Sequence, residues 1–476
     1  MHSRSTVYQK LTVQPVFFAM LHTREYLGPC RYGKGKELSY EHDVEVAEKG
    51  FEQFKQSLKE RVDHEIVEVL EPVFVQWTQS FSVKEEEMQK AIGNNEKTDL
   101  YVVSSPRIGS YFTCELAKRT NKAVSFISPE SAVSKCDQYD QAAHLRALGY
   151  ESYGFHDYND LNKTCELLRV KKALQNTKVL FATQGPTLTY GVQSSFLCLQ
   201  DITDRFGVRF AMVNSEDTFR ALDALADEDK AAAQQIADEL VHKANGMHMP
   251  AEFVYNDAAY YVAVKKLMDE FDANAFTIPC FEVCATEELN NRQLTFCLTH
   301  SLLKDEGISG ACAGDIGSNV SIAILMNLAK KAPHMGNTMI MDRENHIMRV
   351  LHDVASAKMK GYDQQELPID YVSFTSGEWG ATMRYDFNRD KGETITLINI
   401  SPGMDKIMIG RGEIVGGDDT LTIECKHAVR FKVKDVEDFY KQQQYVGHHF
   451  AWVYGDYVDK LKELAELWGL EALVSA

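Results

Sequence analysis

The sequence predicts an α/β protein: two doubly wound domains followed by a β-rich, barrel-like C-terminal domain that closes with a terminal helix. Three observations carry this. Apolar runs alternate with amphipathic helical stretches from residue 10 to about 350. The texture then changes, after about 360, to short strands divided by Gly, Asp and Asn turns. And 476 residues are too many for one ordinary hydrophobic core.

The β-rich runs of the first part are VQPVFFAML (13–21), IVEVLEPVFV (66–75), DLYVVSS (99–105) and AVSFIS (123–128). KVLFATQG (178–185), VRFAMVN (208–214), AFTIPCF (275–281) and ISGACAG (308–314) follow. Helical patterns at 43–61, 229–244, 255–271 and 286–305 lie between them. Strands apolar on both faces and separated by helices read as parallel strands covered on both sides. They are too many for one comfortable sheet, so the expected division is 1–175 and 176–355, with the β-rich domain at 356–476. In that last part YVSFTSGEWGATMRYDF, ETITLINI, KIMIGRGEIVGG, TLTIEC and AVRFKV suggest an antiparallel sheet or barrel. YVDKLKELAELWGLE (457–471) has leucines at helical spacing and is the closing helix.

Composition narrows the function classes. Apolar residues at 44% and charged residues at 25% are globular values. Fifty-one basic against 69 acidic side chains leave −18, which argues against nucleic acid and against an anionic membrane surface as partners. No apolar stretch is long enough to span a membrane, and the N-terminus lacks the pattern of a secretion signal, so a cytoplasmic protein is expected. The ten cysteines are thinly spread. The close pair Cys280 and Cys284 has no second pair to complete a zinc site, so the cysteines read as buried hydrophobes in a reducing compartment.

Chemistry has five candidate places. SGACAGDIGSN (309–319) reads as a strand end turning into a helix, with one acid, Asp315. Asp there is a helix cap or an acid/base group, and both readings stay open. APHMGNTMIMD (332–342) is an apolar strand with Asn337 beside a glycine, where turn chemistry is the commoner role. His352 follows the run MRVL. VGHHFAWVYGDY (446–457) carries His448 and His449, which on a strand face opposite ways, so only one serves a given site. Finally, Arg31, Lys34 and Lys36 lie among the glycines of YLGPCRYGKGKE, a solvated loop or an anion- or hydroxyl-binding one.

Three stretches carry a resemblance: DEGISGACAGDIGSNVSIAILMNLAKKAPHMGN (305–337), FTSGEWGATMRYDF with IMIGRGEIVGG, and GHHFAWVYGDYVDKLKELAELWGLE at the end. In order and spacing the chain resembles the L-fucose isomerase and L-arabinose isomerase superfamily over nearly its whole length. The resemblance implies two Rossmann-like domains followed by a β-barrel-like domain. It also implies a homo-oligomer, most often a hexamer, whose sites are completed by a neighboring subunit. The implied reaction interconverts aldoses and ketoses through a cis-enediol, with Mn²⁺ polarizing the substrate oxygens and paired carboxylates moving the proton.

Residue by residue, the resemblance is uneven. The superfamily's first carboxylate falls on Ala313 and its second on Asn337. Its histidines fall on His352 and on His448 or His449, with His449 preferred. The expected roles are therefore His352, His449 and Asn337 as metal ligands and Asp315 and Glu282 as acid/base candidates in place of the acid absent at Ala313. Arg31, Asn337 and His448 are expected to contact a small polyhydroxylated or acidic sugar. Three explanations stay open for the missing acids: an inactivating substitution at Ala313, replacement by another acid, or a relative that binds sugar without turnover. An epimerase using the same enediolate chemistry is a further enzyme reading.

Overall fold

The structure is a computed structural model and describes residues 5–21, 34–77, 84–105, 110–129, 136–183, 192–284, 286–376 and 378–476. The chain divides into two compact units, Gln9–Arg169 and Val170–Ala476, the latter taking in Met1–Tyr8 as well.

The Gln9–Arg169 unit is built on one parallel sheet. Its strands are β1 (Leu11–Met20), β2 (Val67–Val69), β3 (Val73–Trp77), β4 (Leu100–Ser104), β5 (Ala123–Ile127) and β6 (Ser152–Phe155). The run expected as one strand at 66–75 is two, because Pro72 has no N–H to give to the ladder. Both pieces pair with the same edge of β1 in parallel. The order is β2/β3, β1, β4, β5, β6, and the chain reverses direction across the sheet between β1 and β4. That is the doubly wound pattern predicted. Arg31 lies outside the described residues.

The second unit holds another parallel sheet and a barrel. The sheet runs β11-β10-β7-β8, from β7 (Lys178–Ala182), β8 (Arg209–Val213), β10 (Ala275–Thr277) and β11 (Ser309–Ala311). The helix expected at 286–305 is broken into Glu288–Arg292 and Cys297–Asp305, with Gln293 at a φ of 53° ending the first piece. A small sheet joins β9 (Gly246–Met247) to β14 (Asp370–Ser373) and β15 (Ala381–Arg384).

The barrel strands are β12 (His334–Asp342), β13 (Ile347–Leu351), β16 (Thr394–Ile400), β17 (Lys406–Gly417), β18 (Ala428–Val433) and β19 (His449–Tyr454). Antiparallel pairing runs β16-β19-β12-β13-β18-β17 and returns from β17 to β16, so the ring closes. Closure removes the unpaired edges an open sheet would present. Inside, Met348, Val350, Phe431, Phe450, Trp452, Leu397 and Ile414 are buried together. Each such side chain contributes roughly 1.5–3 kcal/mol by leaving water. The closing helix, Val458–Trp468, is followed by β20 (Glu471–Ser475), which adds to β17 in parallel.

One glycine fixes how tightly the barrel wall closes near the site. A Cβ on Gly336 would collide with the backbone carbonyl of Leu351, so β12 and β13 approach there only because the side chain is missing. Among the described residues no helix is long and apolar enough to cross a membrane.

Candidate active site

Strand β11 ends at Ala311 and the chain turns through Ala313 and Gly314, at φ of 62° and 66°, into the helix Ile316–Ala329. Two consecutive left-handed residues make the turn sharp. For alanine this backbone is unfavorable by about 1–2 kcal/mol, an outlier at a strand-to-helix junction where ligands collect. The turn delivers Asp315 to the helix N-cap, where its side chain accepts the Ser318 N–H at 2.9 Å. The capping reading of Asp315 is therefore correct, and it is only part of its role.

Asp315 is 1% exposed, and each of its oxygens takes two donors. Oδ1 accepts Ser195 Oγ at 2.7 Å and the Ser318 N–H. Oδ2 accepts Ser318 Oγ at 2.6 Å and His449 Nδ1 at 2.6 Å. Burial alone would raise its pKa, but His449 and the Ser318 donors outweigh burial and hold the carboxyl below the usual carboxylate range. An ionized carboxylate only accepts, so His449 carries a proton on Nδ1 and its Nε2 lies outside this hydrogen bond. Ser195 oxygen in turn accepts the Ile316 N–H at 2.7 Å, locking the carboxylate to the helix start.

The barrel brings the other candidates alongside. Asn337 on β12 stands directly opposite His449 on β19 and opposite Leu351 on β13. Residues paired this way share a face of the sheet. His352 follows Leu351, and its ring lies 5.1 Å from that of His449. His352 Nδ1 is 3.1 Å from Cys425 Sγ. Burial, His449 and His300 push His352 well below its ordinary pKa, so its ring is neutral. His448 is half-buried, and its carbonyl accepts both the N–H and the hydroxyl of Thr338. Of the histidine pair, His449 is the one that faces Asp315.

Glu282 lies on the short helix Cys280–Cys284 beyond β10, half-buried, with its carboxyl pushed up by burial. It joins none of the hydrogen bonds of the Asp315 network. Ala313 is 3% exposed, and its methyl supplies no acid. The partners that organize the site, Ser195, Ser318 and Cys425, were not anticipated from the sequence. Ser318, three residues past a capping Asp, had a local signal. Ser195 and Cys425 had none, because only the tertiary fold brings them in.

The implied Mn²⁺ can be tested against these donors. His449 Nδ1 and all four acceptor directions of Asp315 are engaged, leaving two imidazoles and the Asn337 amide. Mn²⁺ favors carboxylate oxygens, and this set has none free. Among the described residues no group of three or more His, Cys, Asp or Glu is spaced to hold a metal ion. The donor set does not fit Mn²⁺, and no step is derived through it.

The class this defines is an α/β protein whose parallel sheet leads into a closed antiparallel barrel, with a buried Asp–His pair at the junction. In the order and spacing of its motifs the chain resembles the L-fucose isomerase and L-arabinose isomerase superfamily. It is 23% identical over 326 residues to the sulfoquinovose isomerases of Priestia aryabhattai and Priestia megaterium, covering 66% of this chain and 68% of each relative. It is 22% identical over 282 residues to that of Alkalicoccus urumqiensis, covering 57% of this chain and 59% of that one. No family model matches the chain.

Proposed function

We propose that this protein is an aldose–ketose isomerase for an acidic sugar of the sulfoquinovose kind, and that the Asp315–His449 pair performs the proton transfer. The observation that carries the reading is the 2.6 Å bond from His449 Nδ1 to Asp315 Oδ2, which leaves Nε2 as a base. The names of the relatives support the substrate class.

In this reading His449 Nε2 takes the proton from C2 of the open-chain aldose. The C–H electrons form the C1=C2 bond and the C1 carbonyl electrons move onto its oxygen, giving a cis-enediolate. The same imidazole then returns the proton to C1. His352, a second neutral ring, carries the hydroxyl proton from the C2 oxygen to the C1 oxygen, so the net change moves the carbonyl from C1 to C2. Asp315 stays ionized throughout and steadies the imidazolium, and the Asn337 amide donates to the enediolate oxygen. Asn337 and His352 thereby act on protons and oxygens rather than as ligands. Glu282 and His448 are assigned to substrate contact. The nine free cysteines among the described residues suit a cytoplasmic setting.

The test is an isomerase assay on C6-sulfonated and neutral aldoses, run on protein stripped with EDTA and again with Mn²⁺ restored. Turnover of the sulfonated sugar in the stripped protein, lost in a folded His449→Gln variant, is expected. Turnover only with Mn²⁺ would overturn the Asp–His mechanism. Binding of the sugar with no turnover in either condition would favor the non-catalytic reading, which the absence of acids at Ala313 and Asn337 supports.

A further inference from the structure

The chain entering β18 is bent sharply beside the end of β13. The Lys426 N–H donates to the Glu424 carbonyl at 2.7 Å, which makes a three-residue turn centered on Cys425. Glu424 itself sits at a φ of 68°, left-handed backbone that a residue with a Cβ disfavors. Hydrogen bonds from outside the turn hold it in place. The His352 N–H donates to the His427 carbonyl at 2.9 Å, and the His427 N–H donates to Asp353 Oδ1 at 3.0 Å. From β15, Arg384 Nη2 donates to the Glu424 carbonyl at 3.2 Å and also pairs with Asp353. This lacing sets Cys425 Sγ 3.1 Å from His352 Nδ1, well within reach of a thiol hydrogen bond.

We propose that Cys425 is a positioning residue: its S–H donates to His352 Nδ1 and so holds that ring as the tautomer with its proton on Nε2. A thiol and a neutral imidazole pair in either direction, and the better acceptor decides. The bare ring nitrogen accepts more strongly than a neutral sulfur, so the S–H donates. Burial and the nearby Asp353 charge keep the thiol protonated and able to do so. A neutral ring has one N–H, and with Nδ1 taken as acceptor that N–H is Nε2. The neighboring rings of His352 and His449, 5.1 Å apart, are thus anchored through the same atom by opposite partners. Asp315, an acceptor, requires a proton on His449 Nδ1, while Cys425, a donor, requires His352 Nδ1 to be bare.

The catalytic meaning of this arrangement rests on the isomerase reading; the hydrogen bond itself does not. In that reading His449 Nε2 takes the proton from C2. His352 Nε2–H gives its proton to the C1 oxygen as charge develops there, and the same nitrogen takes the C2 hydroxyl proton in exchange. One proton leaves Nε2 and one returns, so the ring ends as it began. A neutral imidazole N–H is a competent donor to a developing enediolate. The other tautomer would place a bare nitrogen against that oxygen and offer it no proton. Cys425 thereby decides whether His352 meets the charge as a donor.

Infrared spectroscopy of the full chain reads the hydrogen bond, because S–H stretching absorbs where the rest of the protein does not. Subtracting the spectrum of Cys425→Ser from that of the wild type isolates the Cys425 band. It is expected below the free-thiol frequency, and in His352→Phe it is expected to return to that frequency. A wild-type band already at the free-thiol frequency, or no band at all, overturns the proposal, since the sulfur would then be an acceptor or a thiolate. Kinetics on the sulfonated sugar test the positioning separately. Cys425→Ala is expected to lower kcat about 10- to 100-fold with KM nearly unchanged, and Cys425→Ser, whose hydroxyl also donates, to recover most of the loss. If both variants melt like the wild type and Cys425→Ser is as slow as Cys425→Ala, donation to His352 is not what Cys425 contributes. The subtraction needs only the near-isosteric serine variant, so it decides even if Cys425→Ala fails to fold. A shifted band in a protein that turns over no sugar would sink the isomerase reading and support the thiol hydrogen bond.

Discussion

His449 Nδ1 lies 2.6 Å from Asp315 Oδ2, and each side chain is 2% exposed. With both groups withdrawn from water, the carboxylate fixes which ring nitrogen keeps its proton. Asp315→Asn preserves size but can present an N–H to His449, which favors the wrong tautomer. The expected result is a fall in kcat of about 10³- to 10⁴-fold with little change in KM. A circular dichroism spectrum and thermal melt like those of the wild type would show that the loss is chemical. A fall in kcat of less than tenfold would remove the pair from the proton-transfer step.

Ser195 acts on this pair from a distance in sequence. Its hydroxyl donates to Asp315 Oδ1 and accepts the Ile316 N–H, bridging the acid to the helix it caps. Ser195→Ala leaves one carboxylate oxygen short of a donor and the buried Ile316 and Gly317 N–H groups without their acceptor. A loss of about 1.5–3 kcal/mol in stability is expected from urea unfolding, with a smaller fall in kcat than in Asp315→Asn. Unchanged stability would show that the bridge is replaced by water.

Much of this was legible before the fold was known, and the reason differs between parts. Strands such as Lys178–Ala182 and Leu100–Ser104 are continuous apolar runs because both faces are covered, so pattern alone reveals them. Ser152–Phe155 escaped notice because SYGF mixes small and polar residues within four positions. The closing helix was evident from its leucines, but the strand after it, Glu471–Ser475, was not: its pairing with Lys406–Gly410 is a tertiary fact. At the site, Asp315 and His449 each stood out locally. Their union did not, because 134 residues separate them and only the barrel register brings them together.

A buried ionic pair involves the residue next to His352. Arg384 Nη2 and Asp353 Oδ2 are 2.8 Å apart with both side chains fully buried, and Asp353 also accepts the His427 N–H at 3.0 Å. Burial raises the Asp353 carboxyl to about 6, and Arg384 limits the rise. Arg384→Met leaves an unpaired buried acid, and a loss of about 3–5 kcal/mol in urea unfolding is expected. Adding Asp353→Leu should restore most of it, since the attraction between buried charges barely exceeds their desolvation cost. If the double variant is no more stable than the single one, the pair is not an independent unit.

Lys304 gives the fold a pH dependence of definite sign. Its side chain is fully buried, and its amine donates to the carbonyls of Pro333 and Val354, one residue before β12 and three after β13. Burial lowers its pKa from 10.5 to about 7. Above pH 7 the folded amine is neutral while the unfolded lysine stays protonated, so unfolding takes up a proton and stability rises with pH. Below pH 7 both states carry the proton, and this contribution is flat. Between pH 7 and 10 the gain is on the order of 3 kcal/mol. Tyrosines and other groups also titrate there, so the informative quantity is a difference. Lys304→Met should be less stable at pH 10, because two buried carbonyls lose their donor, and its stability should rise less between pH 7 and 10 than that of the wild type. Urea unfolding at the two pH values measures both slopes, and equal slopes would show that the Lys304 amine stays charged in the folded protein.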